Sequence, residues 1–347
     1  MKKTVLAFAV AAAVGVPAAA AADTTLYGRM NVSLDFVDNG EDSSAQLASN
    51  SSRLGVRGSE DLGFAGLKGV YQIEAGLLSD GQTFGNSDLT ARNTYLGLAG
   101  DFGELRLGKH DTPYKISTLR LNFFADTLGD KHHMVGQAGD NEYNFYRRND
   151  NTILYMSPNL DGLQFMVSYT TDIGDDRPDN PDANDRDAFS ISGSFEQGPM
   201  YVAVAYEQLN EFSFGEDAKA WKVGGTYQIQ DLTLAAMYEN LDTGVSGIGD
   251  RDAFHLGAKY QLGQAYLMAS YTNAGEFDVD DTDAQMFALG AGYNFTNRTG
   301  MYAVYAQTSN EDAALYGLGG SGKGKGVSTF AAGEDVKGFQ VGVTHNF

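Results

Sequence analysis

The chain has 347 residues, 24 of them basic and 45 acidic, for a formal charge of −21. That balance excludes a nucleic-acid partner, which needs a basic surface. The lack of cysteine excludes disulfides and thiolate chemistry. Beyond residue 22 no run of 18 or more apolar residues offers a membrane-spanning helix.

The first predicted element is a leader. "MKKTVLAFAVAAAVGVPAAAAAD" sets Lys2 and Lys3 before an apolar run and closes on Ala20, Ala21 and Ala22. This is the pattern of a secretory signal cut before Asp23. Residues 1–22 are expected to leave and 23–347 to fold as one domain, with the formal charge moving to about −23 as the two lysines go.

Strands follow to the end of the chain. In "TLYGRMNVSLDF", Leu26, Met30, Val32, Leu34 and Phe36 share one face, and Tyr27, Arg29, Asn31, Ser33 and Asp35 the other. "SRLGVRG" sets Leu54 and Val56 against Arg53 and Arg57, and "LKGVYQIEAGL" sets Tyr71 and Ile73 against Lys68, Gln72 and Glu74. The alternation recurs in "ELRLGKH", "LQFMVSYT", "MYVAVAYEQ", "AWKVGGTYQI", "DAFHLGAKYQL", "MFALGAGYNF" and others, down to the terminal "GFQVGVTHNF". A composition of 43 Gly, 6 Pro, 19 Tyr and 20 Phe agrees with strands. We count about sixteen segments of roughly ten residues, the length of a tilted membrane-spanning strand.

Short connections such as "GDFG", "EQGP" and "FTNRTG" interleave with long ones near 38–50, 79–91, 111–147, 172–187, 210–218, 241–252, 273–283 and 308–336. The reading is all-β: a transmembrane antiparallel β-barrel of 16 strands with short periplasmic turns and long extracellular loops. A soluble β-sandwich also alternates, but sixteen strands exceed what open sheets hold without splitting. Tyr27, Tyr155, Tyr227, Tyr260, Tyr293, Phe295 and Phe347 cluster beside the short turns like a membrane-interface belt, and Trp221 suits the opposite belt. In lipid the last strand must pair with the first, because an open edge leaves backbone groups with no water to satisfy them. Phe347 is then the final lipid-facing residue of the closing strand.

The terminal Phe347 on an alternating strand resembles the assembly signature of bacterial outer-membrane proteins. "SSRLGVRGSEDLG", "LKGVYQIE", "RNTYLGLAGDFGELRLGKHDTPYK" and "DNTILYMSPNLDG" together resemble the general (non-specific) porins of Gram-negative bacteria over essentially all of 23–347. The resemblance implies a homotrimer in the bacterial outer membrane, each barrel with its own aqueous pore. Its partners would be outer-membrane lipids and lipopolysaccharide, small hydrophilic solutes and ions, and it calls for no cofactor.

By that resemblance the third long connection, about 111–147, folds into the pore and forms its constriction. Phe123, Phe124 and Tyr146 give it apolar anchors. Asp111 and Asp126 are its expected acidic contribution; the alternative for each is a turn cap. The opposite wall is expected to be basic. Arg53, Arg92 and Arg148 match positions where some porins carry a basic ladder; parity turns Arg53 inward, whereas Arg92 and Arg148 can be read in either register. Arg29, Arg57, Lys68, Glu74, Arg106, Lys222 and Lys259 fall on polar faces as pore-lining candidates; the alternative for the basic ones is interior salt bridging with Asp35, Glu74 and Glu104. A basic ladder favours anions, while "DIGDDRPDNPDANDRD" and "EFDVDDTD" would enrich cations at the mouth, which leaves the preference open and weak.

Catalytic and metal signals fail on inspection. "GLGGSGKGKG" approaches a phosphate-binding loop but has Gly324 at the Ser/Thr position and no strand–helix context. His132-His133 has no partner spacing for a metal, and the Asp-rich loops lack the calcium-loop pattern. The leading function is therefore passive diffusion of ions and small hydrophilic solutes. Its rivals are a solute-specific channel, an outer-membrane barrel enzyme and an adhesin, and no Ser–His pairing supports the enzyme.

Overall fold

Period-two alternation becomes strand throughout. The computed structural model describes residues 23–77, 92–137, 144–173, 186–213, 216–319, 327 and 330–347. The leader, the loop at 79–91, most of 172–187 and the lysine-bearing part of "GLGGSGKGKG" lie outside the described residues. In chain order the strands are β1 (Thr25–Asp38), β2 (Ser43–Ser49), β3 (Arg53–Asp61), β4 (Lys68–Gly76), β5 (Thr94–Gly100), β6 (Gly103–Asp111), β7 (Arg148–Met156), β8 (Leu163–Thr170) and β9 (Ala188–Gln197). They continue as β10 (Met200–Ser213), β11 (Glu216–Ile229), β12 (Leu232–Asp242), β13 (Asp250–Leu262), β14 (Ala265–Ala274), β15 (Ala284–Asn294), β16 (Thr299–Asn310) and β17 (Val336–Asn346).

From β3 onward each strand pairs antiparallel with its sequence neighbour, and β17 returns to β1 from Arg29↔Asn346 to Asp38↔Lys337. β2 and β3 both pair with β1 and are two halves of one stave, broken where Ser51 takes φ 55°. The barrel therefore has 16 staves. The sequence reading places Ser43–Ser49 in a loop. "SSAQLAS" carries no β-branched or aromatic residue, so propensity is silent there, and register with β1 makes it a strand. Likewise β10 and β11 reach Ser213 and Glu216, taking up most of the loop expected at 210–218.

Exposure alternates as the pleat requires. Leu34, Phe36, Leu96, Val204, Leu256 and Val343 all point outward and stand exposed. An apolar exterior of this extent suits hydrocarbon and not water. Tyr227, Tyr260, Tyr293, Phe295 and Phe347 stand in the outer belt near the short turns, and Trp221 packs on Tyr238 at the other end of the strands with ring centroids 5.3 Å apart. Tyr27 departs from the expected belt: it turns inward and its hydroxyl donates to Glu74 Oε2 at 2.8 Å.

The apolar core lies inside the cylinder. It fills the space between the third long connection (loop 3) and the inner wall of β9–β17. That wall is not the polar surface the sequence reading expects. Its inward positions include Ala203, Ala205, Ala220, Ala253, Ala288 and Ala306, all buried, because the loop and not water covers them.

Candidate functional site

Loop 3 leaves β6 after Asp111 and returns at Arg148. It opens with a short helix α1 (Pro113–Ser117), for which Thr112 is a local N-cap: its Oγ1 accepts from the Lys115 amide at 3.2 Å, and Pro113 occupies the first turn. The loop then follows the inner wall. The Tyr114 hydroxyl donates to Glu239 Oε2 at 2.6 Å, the Tyr201 hydroxyl donates to the Ser117 carbonyl at 2.7 Å, and Arg120 pairs with Glu196 at 2.7 Å. On the return path the Gly136 amide donates to Glu239 Oε1 at 2.6 Å, and Arg251 donates to the carbonyls of Met134 at 3.0 Å and Gln137 at 2.5 Å. Buried charged side chains on β12 and β13 thus serve as hydrogen-bonding posts for a loop that lies outside the named strands of the barrel.

The tip of loop 3 crosses to the seam where β17 meets β1. Asp126 sits at φ 59°, a conformation Asp tolerates. Its Oδ2 accepts from Arg29 at 2.8 Å, and its carbonyl accepts from Asn31 Nδ2 at 3.3 Å. Two residues on, the Leu128 amide donates to Gln340 Oε1 at 3.2 Å. The described part of the last long connection, expected as an outer loop, also folds inward. Ala314, Tyr316, Leu318 and Val327 are buried, and the Gly319 amide donates to the Leu128 carbonyl at 3.2 Å.

Facing the loop, β1 and β3–β7 carry the charged side of the lumen. Arg29 and Arg53 are direct cross-strand partners, so two like charges stand side by side. Glu74 lies next to them: Arg92 Nε is 2.5 Å from its Oε1 and Arg53 Nε 3.8 Å from its Oε2. Arg92, which precedes β5, thus lies on the same side of the wall as Glu74 and Arg53. Arg106 pairs with Glu104 at 2.7 Å and lies over the Tyr95 ring, and Arg57 lies over the Tyr27 ring. Lys68 is exposed at the short-turn end of β4, opposite Asp61 in the register.

Three expectations change. Asp111 does not project from the loop across the pore. It is buried at the wall, where Lys115 (2.8 Å), Arg148 (3.1 Å) and Asn93 (2.9 Å) surround it. The cross-strand pair Asp111↔Arg148 also explains the ambiguous parity of Arg148, since a bulge between Gly108 and His110 breaks the alternation there. Lys222 is fully buried beneath loop 3, 3.7 Å from the centre of the Tyr114 ring, and does not line the lumen. Among the described residues no basic side chain pairs with Asp35; the Ser33 hydroxyl donates to it at 2.6 Å.

Among the described residues no group of three or more His, Asp or Glu is placed to hold a metal. Burial holds the His132 imidazole well below its ordinary pKa, against the pull of Asp130 2.8 Å away.

Sequence reasoning missed the glycines on which loop 3 rests. A Cβ on Gly224 would stand 2.6 Å from Leu121, on Gly257 3.1 Å from Phe123, on Gly290 2.9 Å from Phe124, and on Gly338 2.8 Å from Leu128. A signal was present: "GGTY", "GAKY" and "GAGY" repeat from residues 224, 257 and 290, at equal intervals of 33.

Comparison with known proteins agrees with this architecture. The family model described as Gram-negative porin matches residues 7–313. Outer membrane porin protein 32 of Delftia acidovorans is 30% identical over the whole of both chains. Among solved structures, an anion-selective porin from Comamonas acidovorans superimposes with a TM-score of 0.78 at 24% identity, covering 93% of this chain and 99% of that one. The trimer form of the outer-membrane protein OmpT of Vibrio cholerae does so with 0.69 at 20% identity, covering 93% and 99%. A closed barrel with an apolar exterior, a charged inner wall and this family match has one reading: the chain belongs to the Gram-negative porins and forms a channel through the outer membrane.

Proposed function

We propose that the channel passes small hydrophilic solutes and ions down their gradients with a preference for anions, and that loop 3 and the arginine wall form its narrowest part. The observation that carries this is the local charge balance. Among the described residues, Arg29, Arg53, Arg92, Arg148 and Lys115 are ion-paired with Asp126, Glu74 and Asp111, five cations against three carboxylates. The sign is opposite to that of the whole chain, −21. Fixed charge acts most strongly where the pore is narrow and water is scarce. The anion selectivity named for the Comamonas porin supports the same sign.

The working unit is a homotrimer set among outer-membrane lipids and lipopolysaccharide, with residues 1–22 removed on export. The trimeric form of the Vibrio neighbour supports the first point, and the basic, apolar and small-residue order of the leader supports the second. Single-channel recording in a salt gradient tests the reading. A reversal potential on the anion side and current steps in threes are expected; a cation-side potential would overturn the charge assignment.

A further inference from the structure

We infer that a track of glycines on the inner wall sets the width of the pore, with Gly224, Gly257 and Gly290 as positioning residues that fix how far loop 3 stands from the wall. The inference rests on the reading of loop 3 as the constriction. The three glycines lie on β11, β13 and β15, and each precedes a belt tyrosine by three residues: Tyr227, Tyr260 and Tyr293. At about 3.3 Å per strand residue, they mark one level roughly 10 Å from the belt. The registers agree: in going from β11 to β13, and from β13 to β15, glycine and tyrosine shift together by two residues toward the short turns. The track therefore runs round the wall at constant depth.

Glycine inside a strand weakens it and marks close approach by another backbone or side chain. Here the approach is by Leu121, Phe123 and Phe124, each standing where a glycine Cβ would be, at 2.6, 3.1 and 2.9 Å. Leu121 and Phe124 are fully buried against the wall, while Ala125 between Phe124 and Asp126 is exposed. The knobs thus lie on the wall side of the loop and the lumen side begins within one residue. A carbon added at Gly224 or Gly290 would stand 2.6 Å from Leu121 or 2.9 Å from Phe124, so in a close-packed interior those side chains must shift and carry the loop inward.

The test uses the full chain in planar bilayers. Gly290→Ala is expected to lower single-channel conductance, and adding Phe124→Leu to the same chain to restore it. Unchanged conductance in Gly290→Ala, or no recovery in the double variant, overturns the inference. Ala291→Val, one residue along on the lipid face, is expected to leave conductance unaltered; an equal loss there overturns it too. Should Gly290→Ala fail to assemble, Gly257→Ala, with its milder 3.1 Å approach to Phe123, decides by the same criterion, with Phe123→Leu as the restoring change. Asp126→Asn separates the two readings. A shifted reversal potential in Asp126→Asn with unaltered conductance in the glycine variants defeats the track alone, while an unmoved reversal potential defeats loop 3 as the constriction.

Discussion

Phe347 and Gly28 exchange both of their backbone hydrogen bonds: the Gly28 amide donates to the Phe347 carbonyl at 2.9 Å and the Phe347 amide to the Gly28 carbonyl at 3.0 Å. The Phe347 ring lies where a side chain at position 28 would be. The last residue thus closes the cylinder onto the first strand. Gly28→Val should displace the ring at a cost of about 1–3 kcal/mol, the usual range for overpacking. The expected outcome is a smaller folded fraction on unheated gel electrophoresis, with Phe347→Ala in the same chain relieving the crowding but not restoring the lost apolar contact.

The charge of the arginine wall can be tuned in both directions. Arg53→Ala should move the reversal potential toward cations. Glu74→Gln should move it toward anions, because it removes the carboxylate shared by Arg53 and Arg92. One unit charge at 4 Å is worth about 1 kcal/mol in water, which corresponds to a change in permeability ratio of about fivefold. Shifts of the same sign in the two variants would refute the assignment.

Glu239 holds both arms of loop 3, through the Tyr114 hydroxyl and the Gly136 amide, each at 2.6 Å. Tyr114→Phe leaves one oxygen of a buried carboxylate without its donor. Hydrogen bonds to charged groups contribute about 1.5–3 kcal/mol, and the variant should lose stability in that range. Faster hydrogen exchange at the Gly136 amide, with exchange in β1 and β17 unaltered, is the expected signature.

Lys131 gives a pH dependence of known sign. Burial in loop 3 pushes its ammonium down to about 8, against the opposing pull of Asp130 and Glu239. Its Nζ lies 3.3 Å from His132 Nε2 and 3.8 Å from Met237 sulfur, and 5.3 Å from the centre of the Tyr146 ring. In the unfolded chain the group titrates near its ordinary value of about 10.4. Between those two values the unfolded chain binds the extra proton, so this residue makes stability rise with pH by up to about 1.4 kcal/mol per unit. Below about pH 8 both states are protonated and its contribution is flat. The thermal midpoint of the parent minus that of Lys131→Met should therefore climb from pH 8 to pH 10 and stay level from pH 6 to pH 7.

The fold was legible in the sequence because lipid outside and water or loop inside impose a two-residue period on every strand. Leu34 and Phe36 against Ser33 and Asp35 show it in a single stretch. The inward parity of Arg53 followed from the same rule, and so did the closure at Phe347. Only the tertiary structure decided what each inward residue meets. Asp111 and Lys222 obey no local signal that separates a lumen-facing charge from one buried under a loop, since that depends on where residues 112–147 lie across the barrel. Tyr27 reads as a belt residue beside a turn until Glu74, 47 positions later, claims its hydroxyl. Alternation is a property of neighbours along one strand. The filling of the cylinder is a property of side chains brought together from opposite ends of the chain, and period-two patterning carries no record of them.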